Sequence, residues 1–562
     1  MSDMGNRTVD FDSRIPVLIV GGGPVGLGLA LELAGRGIRS QLIDQGDGAV
    51  RLSKMGAVSV RSMEHCRRWG IAEDVRNAGF PSDYPHDQYF CTGLNGHLLG
   101  VVKMPSRKDD TDTKDSPEQK QRCPQLWFDP ILQRKAASNP LITLTYHTRL
   151  ISFTETGEGV RAEVENVETG GKSTIEADYL GGCDGGGSLV RELLGYKLEG
   201  DRLSNSVGIY FTSYDLHAHH KLGKGTRYWM VGEEGTWGNL TVVDGRDVWR
   251  LTISGSQMPV NMDEFDADYW LRRCLGSENI GYSITAVLPW WRNRMVANHY
   301  GKGRVYLAGD ACHMNAPNGG FGMNTGLGDS VDLGWKLQGA IEGWAPQILR
   351  SYEIERRPVA VRNVDAAAAN FTLTRPKLSY GNVEQDGAEG DAKRRELFDV
   401  LARDSMPEFK SAGVHLGYRY EGSPIIVPDG STEPKDDLSI YTPTARPGHR
   451  APHVWLSDGR SILDLFGKAF VFLQLCDDDE VGNQIAEEAK KIGMPFEGVR
   501  IDSAEAARLY ERRFVLVRPD GHVCWRGDHL DLAASELVAI VTGRRIIGVG
   551  EDCEQPLAAG TH

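Results

Sequence analysis

The chain has no apolar run of 18 residues anywhere in its 562, so no transmembrane helix is expected. It has no Cys-x-x-Cys, and its nine cysteines are scattered and odd in number. That excludes a zinc ribbon and a disulfide scaffold, points to a reducing cytoplasm and leaves no metal site to expect. Basic charge is also short: 63 Lys and Arg against 77 Asp and Glu give a net charge of −14. This balance speaks against nucleic acid or an anionic membrane surface as partner. Residues 1–14 are polar, carry Asp3, Asp10 and Asp12, and lack the basic and apolar regions of a secretory signal. His217, His219 and His220 cluster without an accompanying Cys or carboxylate pattern, which predicts a solvated loop and not a metal centre.

What the chain does have is glycine, in three telling places. Residues 17–20 are all apolar, as a buried parallel strand requires. Gly21, Gly23 and Gly26 follow, with Pro24 and Val25 among them. Gly21 permits the tight turn, Gly23 lets the backbone approach a pyrophosphate, and Gly26 lets the next helix pack close. Residues 27–35 have helical spacing, so a helix N-terminus faces the phosphates. Residues 38–43 read as a second strand ending at Asp44, where an acid accepts hydrogen bonds from a ribose. The second stretch holds Asp184, Gly185, Ser188 and Arg191. The third holds Gly309, Asp310 and His313, and runs through Pro317, Gly319, Gly320, Gly322, Met323 and Asn324. Their order and spacing fit one job, the holding of a single flavin dinucleotide.

Hydrophobic content of 40% and charged content of 25% are ordinary for a globular protein, and 562 residues imply two or three domains. The dinucleotide domain must be discontinuous, from residues 11–80, 120–200 and 285–375. Residues 207–211, 227–231, 240–243 and 248–253 are strand-like, with turn pairs at Gly232-Glu233 and Asp244-Gly245. They predict an antiparallel sheet in a substrate domain of residues 81–119 and 201–284. Residues 106–121 are charge-rich and read as a mobile loop or insertion. Residues 382–393 read as a linker to a third region, 398–550. There, apolar runs at 461–465 and 469–475, a helical stretch at 484–492 and a turn at Pro519 to Gly521 predict βαβ followed by a hairpin.

The second and third stretches resemble the further motifs of the class A flavoprotein aromatic hydroxylases. So do Asp329 through Leu337 and then Tyr352, Arg356, Arg357 and Pro358. Lys54 to Glu64, with Gly417 to Tyr420 and Pro447 to His453, is similar to the phenol and 2,4-dichlorophenol hydroxylase subgroup. The resemblance implies an α/β FAD-binding domain, Rossmann-like and of glutathione-reductase type. It further implies an inserted antiparallel β-sheet domain and a C-terminal thioredoxin-like domain. Asp310 is expected to hold the ribityl chain. Gly322, Met323 and Asn324 should offer backbone N–H groups to the pyrimidine, and Pro317 should lie near the reactive edge. Gln125 should reach the ribityl chain. Lys54 and Gln45 stand where the family has arginines, so their cofactor contacts differ in geometry. His313 is expected in the cofactor shell and not as a base.

The implied chemistry is hydroxylation of a small aromatic, phenolic substrate. FAD is held tightly without a covalent link, and NADPH or NADH binds transiently. Molecular oxygen adds to form a C4a-hydroperoxyflavin, from which water must be excluded. Some relatives carry a base two residues after the position of Lys54; here that residue is Gly56. Substitutes are His86, Tyr89, Tyr210 and Tyr228, with Asp87 and Arg250 nearby. Trp229, Trp237, Trp249, Trp290 and Trp291 either shape an aromatic pocket or fill a core. No Trp-x-Trp is present, which disfavours a halogenase. Epoxidation, Baeyer–Villiger oxidation or dehydrogenation of a polyketide-like substrate, or a non-catalytic FAD-binding relative, are the alternatives. The tail has only the single Cys476 and Cys524, which suits a structural or dimer-forming part in a homodimer.

Overall fold

The computed structural model describes residues 14–373 and 379–545. The polar N-terminal stretch up to residue 13 and the expected domain ends at 375 and 550 lie outside the described residues.

The first sheet is built around Ile15–Val20, whose last four residues are all buried. Ser40–Ile43 and Lys172–Gly182 flank it, both parallel to it. Val305–Leu307 adds beyond Lys172–Gly182, again parallel, and Ile142–Thr145 closes the other side. Val20 stands opposite Gly182, and Gly182 opposite Leu307. All three glycine-rich stretches therefore leave the carboxyl ends of adjacent parallel strands. That edge is where open α/β sheets take their ligands. Helices Pro24–Ala34 and Gly322–Ile341 pack together on this sheet.

The second sheet has eight strands, with Leu198–Thr212, Val248–Ile253, Gly235–Val242, Arg227–Gly232 and Gln88–Cys91 side by side. It is antiparallel except where Arg227–Gly232 runs parallel to Gln88–Cys91. One face buries Ile209, Leu240, Leu251 and Met230 against Leu271 and Leu275 of helix Ala267–Leu275. The far part of the other face carries Phe90, Trp229 and Val231, covered by Leu397 and Leu401 of helix Ala388–Phe409. The expected third-region boundary at 398 thus falls inside a helix that belongs with this sheet. Residues 382–393 are no free linker either, because Val383 is fully buried in the same cluster.

In the last region Phe470–Gln474, helix Glu480–Ile492 and Phe496–Arg500 make a parallel βαβ unit. The hairpin of Phe514–Val517 and Val523–Gly527 pairs antiparallel onto it. The apolar run at 461–465 is a short helical turn, Ile462–Leu465, instead of a strand. Fully buried charges join this region to the first: Arg518 pairs with Glu355 and Asp520, and Lys336 with Asp332 and Glu355.

One correction concerns residues 106–121. The charges of Lys108, Asp109, Asp110, Asp112 and Lys114 are exposed, as a loop implies, but the end of the segment is tied down. Glu118 is buried between Arg67 and Arg76, and Ser116 Oγ donates to Glu64 Oε1 at 2.7 Å. Arg450 pairs with that same Glu64 and donates to the carbonyl of Asp115.

Candidate flavin and substrate site

The first turn is as tight as its glycines imply. Gly21 has φ +112°, and a Cβ there would stand 2.3 Å from the carbonyl oxygen of Cys183. A Cβ on Gly26 would stand 2.0 Å from the Gly21 carbonyl. By contrast, a Cβ on Gly23, Gly185 or Gly320 would meet no protein atom within 4 Å. These three therefore line an open cradle. Pro24 and Val25 begin the helix above it, and neither this helix nor Gly322–Ile341 has a side-chain cap. Their first N–H groups are left for a ligand.

Asp44 accepts from Gly22 N–H at 2.6 Å and from Gly46 N–H at 2.7 Å. It shapes its own loop first, and it is partly exposed. Gln45 beside it is exposed. Asp184 accepts from Ser188 Oγ at 2.5 Å and from Val190 N–H at 3.1 Å, so it organises the second turn. Arg191 donates from there to the carbonyl of Ala311, tying the second stretch to the third.

Asp310 is reached by solvent yet stands among protein on its other sides, and this crowding raises its pKa. A Cβ on Gly322 would lie 3.9 Å from both Asp310 Oδ1 and Asn315 Oδ1. The amide of Asn315 is buried, and among the described residues it has no hydrogen-bond partner. An open cradle, uncapped helix ends and an unsatisfied amide aimed at one point fit an FAD, which would lie along them. Met323 is partly buried, and the Asn324 side chain is committed to the protein. Its Oδ1 accepts from Ser59 N–H and Ser62 Oγ, and its Nδ2 donates to the Gly320 carbonyl at 2.7 Å. Only its backbone is free for a cofactor.

Gln125 and Lys54 meet behind the cradle. Gln125 Oε1 accepts from Lys54 N–H at 3.3 Å, and its Nε2 donates to Asp129 Oδ2 at 2.9 Å. Burial pushes the Asp129 carboxyl up to about 7. His313 is fully buried, with Nε2 2.8 Å from Asp329 Oδ2. Asp329 also takes Arg356 Nε at 2.8 Å and Gly309 N–H at 3.0 Å. His313 therefore supports the third turn from beneath.

The pocket candidates divide by strand alternation. The sequence offers Tyr89 and Tyr228 as candidate bases or as structural residues; the structure places both on the packed face of the sheet. They stack at 5.1 Å in the row Tyr89, Tyr228, Leu240, Leu251, Ile209, which is the core face. The Tyr228 hydroxyl donates to the carbonyl of Gly223 at 2.8 Å. The opposite row is Tyr210, Arg250, Thr241, Arg227, Gln88. Its Tyr210 hydroxyl lies 3.3 Å from the carbonyl of Ser53, so this row faces the flavin domain. His86 lies just before it, with a pKa pushed down to about 3 by burial and then by Arg122 and Lys120. Pro317 is exposed on the third stretch, and the neighbouring Asn318 donates to Glu408, the partner of Arg227.

One further expectation changes. His217 and His220 are not a solvated loop: His217 Nε2 lies 2.9 Å from the Tyr84 hydroxyl and Nδ1 3.2 Å from His220 Nε2. Between the two readings of the tryptophans, the core holds for three: Trp237 and Trp249 are core residues of the sheet, and Trp229 belongs to the cluster under helix Ala388–Phe409. Sequence reasoning missed Lys120, Arg122, Arg227 and Glu408. The signal was present in the basic residues just ahead of Gln125 and in Arg227 sharing a strand face with Arg250.

Known proteins carry the same architecture. The family described as FAD binding domain matches residues 14–367, and aromatic-ring hydroxylase, C-terminal, matches 444–548. The chain belongs to the FAD-binding aromatic-ring hydroxylases, the group A flavoproteins. It is 33% identical over 554 residues to the FAD-dependent monooxygenase apdD of Emericella nidulans, covering 91% of this chain and 87% of that one. It is 28% identical over 581 residues to 2,4-dichlorophenol 6-monooxygenase of Delftia acidovorans, covering 93% and 98%. Chromopyrrolic acid-soaked RebC with bound 7-carboxy-K252c superposes with a TM-score of 0.88 at 35% identity, covering 94% and 99%. The protein is thus an FAD-dependent monooxygenase of this family.

Proposed function

We propose that the protein hydroxylates an electron-rich aromatic ring, consuming NADPH or NADH and molecular oxygen. The observation that supports this reading is the position of the Tyr210–Arg250 row. It closes over the loop at Ser53 on one side and is joined through Glu408 to Asn318 of the third stretch on the other. A flat ring bound between them would sit on the side of the third stretch that exposes Pro317. When bound, FAD supplies the chemistry of oxygen activation, accepting reducing equivalents from the nicotinamide. Gly21, Gly23, Pro24, Val25, Gly26 and Asp44 hold its adenosine and pyrophosphate half. Asp310, Gln125, Lys54 and the N–H groups of Gly322, Met323 and Asn324 hold the flavin half.

The residues of the chain position the substrate and keep water out. Tyr210 is placed to orient a ring hydroxyl, since its own hydroxyl already faces the cleft. His86 is neutral at physiological pH and can accept a proton, though its low pKa makes it a weak base. We read the last region as a thioredoxin-like domain without redox function, and the protein as a cytoplasmic homodimer. Among the described residues no helix is long and apolar enough to cross a membrane.

The test follows oxygen and reductant together. Nicotinamide oxidation should be slow alone and accelerated by an aromatic substrate, and the product should gain one atom from labelled oxygen gas. A product oxygen taken from water, or no aromatic that accelerates oxidation, refutes the reading.

A further inference from the structure

Helix Val60–Arg68 is held from two sides. Along one side stand Arg61, Glu64 and Arg67, three residues apart, and each finds a partner in the last region. Arg61 Nη2 donates to the carbonyl of Asp520 at 2.8 Å. Arg450 pairs with Glu64, and Arg67 Nε lies 2.6 Å from Asp464 Oδ1. Arg61, Glu64, Arg450 and Asp520 are all buried. On the other side, Asn324 Oδ1 accepts from Ser59 N–H at 2.8 Å and from Ser62 Oγ at 2.7 Å. Asn324 Nδ2 then donates to the carbonyls of Gly320 and Ala57, at 2.7 and 3.3 Å. The helix is therefore a rod between two points. One is the turn from Arg518 to His522, fixed by the ion pairs of Arg518 with Glu355 and Asp520. The other is the start of helix Gly322–Ile341, whose first N–H groups are left for a ligand.

Apolar packing does not hold this end of the rod. A small cavity lies between Arg61 and Asn324, lined also by Ser59, Thr325, His415 and Tyr418. Where side chains leave a gap, dispersion contacts are lost and the polar contacts set the spacing. The third stretch is itself pliant here: Gly319 and Gly320 both have positive φ and carry no side chain to stiffen the turn. Its geometry follows from where Asn324 is held.

We propose that the last region raises the affinity for FAD, with Arg61 as the positioning residue that carries its hold to the third stretch. The turn at Asp520 fixes Arg61, the helix fixes Ser59 and Ser62, and these two fix Asn324. This rests on the reading of Gly322, Met323 and Asn324 as donors to the flavin. By linkage, FAD bound at the third stretch steadies the turn at Asp520 in return.

The test titrates FAD into apo-protein and records the visible circular dichroism of the bound flavin. Arg61→Met leaves Glu64 its partner Arg450, so no buried carboxylate is stranded. It should weaken FAD by about 5- to 150-fold, the usual size of a coupling between two sites, and alter the dichroism of the flavin still bound. Arg61→Lys should fall between, since an ammonium keeps the pair with Glu64 but lacks the fork that reaches Asp520 as well. The control is Arg526→Met. Arg526 is buried in the same region, and its partners Asp429 and Glu511 lie outside the flavin domain. This variant should melt earlier yet keep wild-type FAD affinity and dichroism. An Arg61→Met protein with wild-type affinity and dichroism overturns the proposal, as does an equal loss in Arg526→Met. Hydrogen exchange of the wild type decides independently, even where Arg61→Met does not fold. FAD should slow exchange at residues 320–325, 59–64 and 518–522 more than in helix Glu480–Ile492 of the same region. Equal slowing in that helix, or slowing at 320–325 alone, overturns the proposal and leaves the flavin reading standing. Slowing at none of them overturns both.

Discussion

Asp329→Asn should destabilise the protein by about 3–5 kcal/mol, the usual result of stripping one charge from a buried pair. The carboxylate is wholly buried and satisfies three donors at once: Gly309 N–H, His313 Nε2 and Arg356 Nε. Asparagine keeps the shape but leaves two cations without an anion. With an unfolding entropy of about 2.1 cal/mol/K per residue, a chain of this length unfolding as one unit should lose about 3–4 °C in melting temperature. The pH dependence carries the sharper test. Burial opposes the imidazolium of His313, but the charge and hydrogen bond of Asp329 hold its pKa above the ordinary 6.5. Its contribution is complete below 6.5 and fades as pH rises through the folded value. Burial likewise opposes the Asp329 anion, and Arg356 and His313 hold its pKa below 3.8, so its contribution fades only in acid. The gap between wild type and variant should therefore be widest from about pH 5 to 6.5 and narrow towards pH 9. Thermal melts of the apo-proteins across that range measure it. A loss under 1 °C, or a gap that widens with pH, refutes the assignment of an ion pair here.

Three more expectations stand on the same structure. Asp310→Ala should weaken FAD by about 1–3 kcal/mol, as loss of a hydrogen bond to a ribityl hydroxyl would, measured by titrating FAD into the apo forms. Asp129→Asn should stabilise the protein at pH 8 by about 1–3 kcal/mol and change little at pH 4. Its carboxyl titrates near 7 when folded, so wild-type stability falls as pH rises from 3.8 through that value, and melts at the two pH values read the difference. Arg518→Met should cost about 3–5 kcal/mol by leaving Glu355 and Asp520 buried without their shared cation. Limited proteolysis should then cut between the first and last regions, which the wild type resists.

The flavin half of the site was legible because its chemistry is local in sequence. Gly21, Gly26 and Gly309 are demanded by backbone geometry that no other residue tolerates, and such demands are written in the residue itself. Parallel pairing then brings the stretches together with no further information, since adjacent strands end at one edge. The sheet was legible in its strands but not in which side each residue takes. Tyr228 and Arg227 are neighbours in the chain and lie on opposite faces, and only register tells them apart. A tyrosine in a strand suits a pocket or a core equally well, so Tyr89 and Tyr228 looked like chemistry and proved to be packing.

The cations were hidden for a different reason. A run of charges normally means solvent, and residues 106–121 have that composition. The rule fails where the partners are distant: Glu118 finds Arg67 and Arg76, and Arg450 reaches Glu64 from far along the chain. Once those pairs anchor the segment, its last residues run into the short strand Gln121–Arg122, which pairs with Ala57–Val58. Lys120 and Arg122 are then held where the pairing runs out. The same anchoring that holds the end of the loop sets Arg122 beside Gly56. A loop pinned at Glu118 by Arg67 and Arg76 places Arg122 beside Gly56; released, as in a Glu118→Ala variant, residues 106–121 should open to limited proteolysis and the protein should lose about 3–5 kcal/mol. Limited proteolysis and thermal melts of that variant beside the wild type check the link, and an unchanged cutting pattern would show that the pairing strand of Arg122 suffices without the anchor.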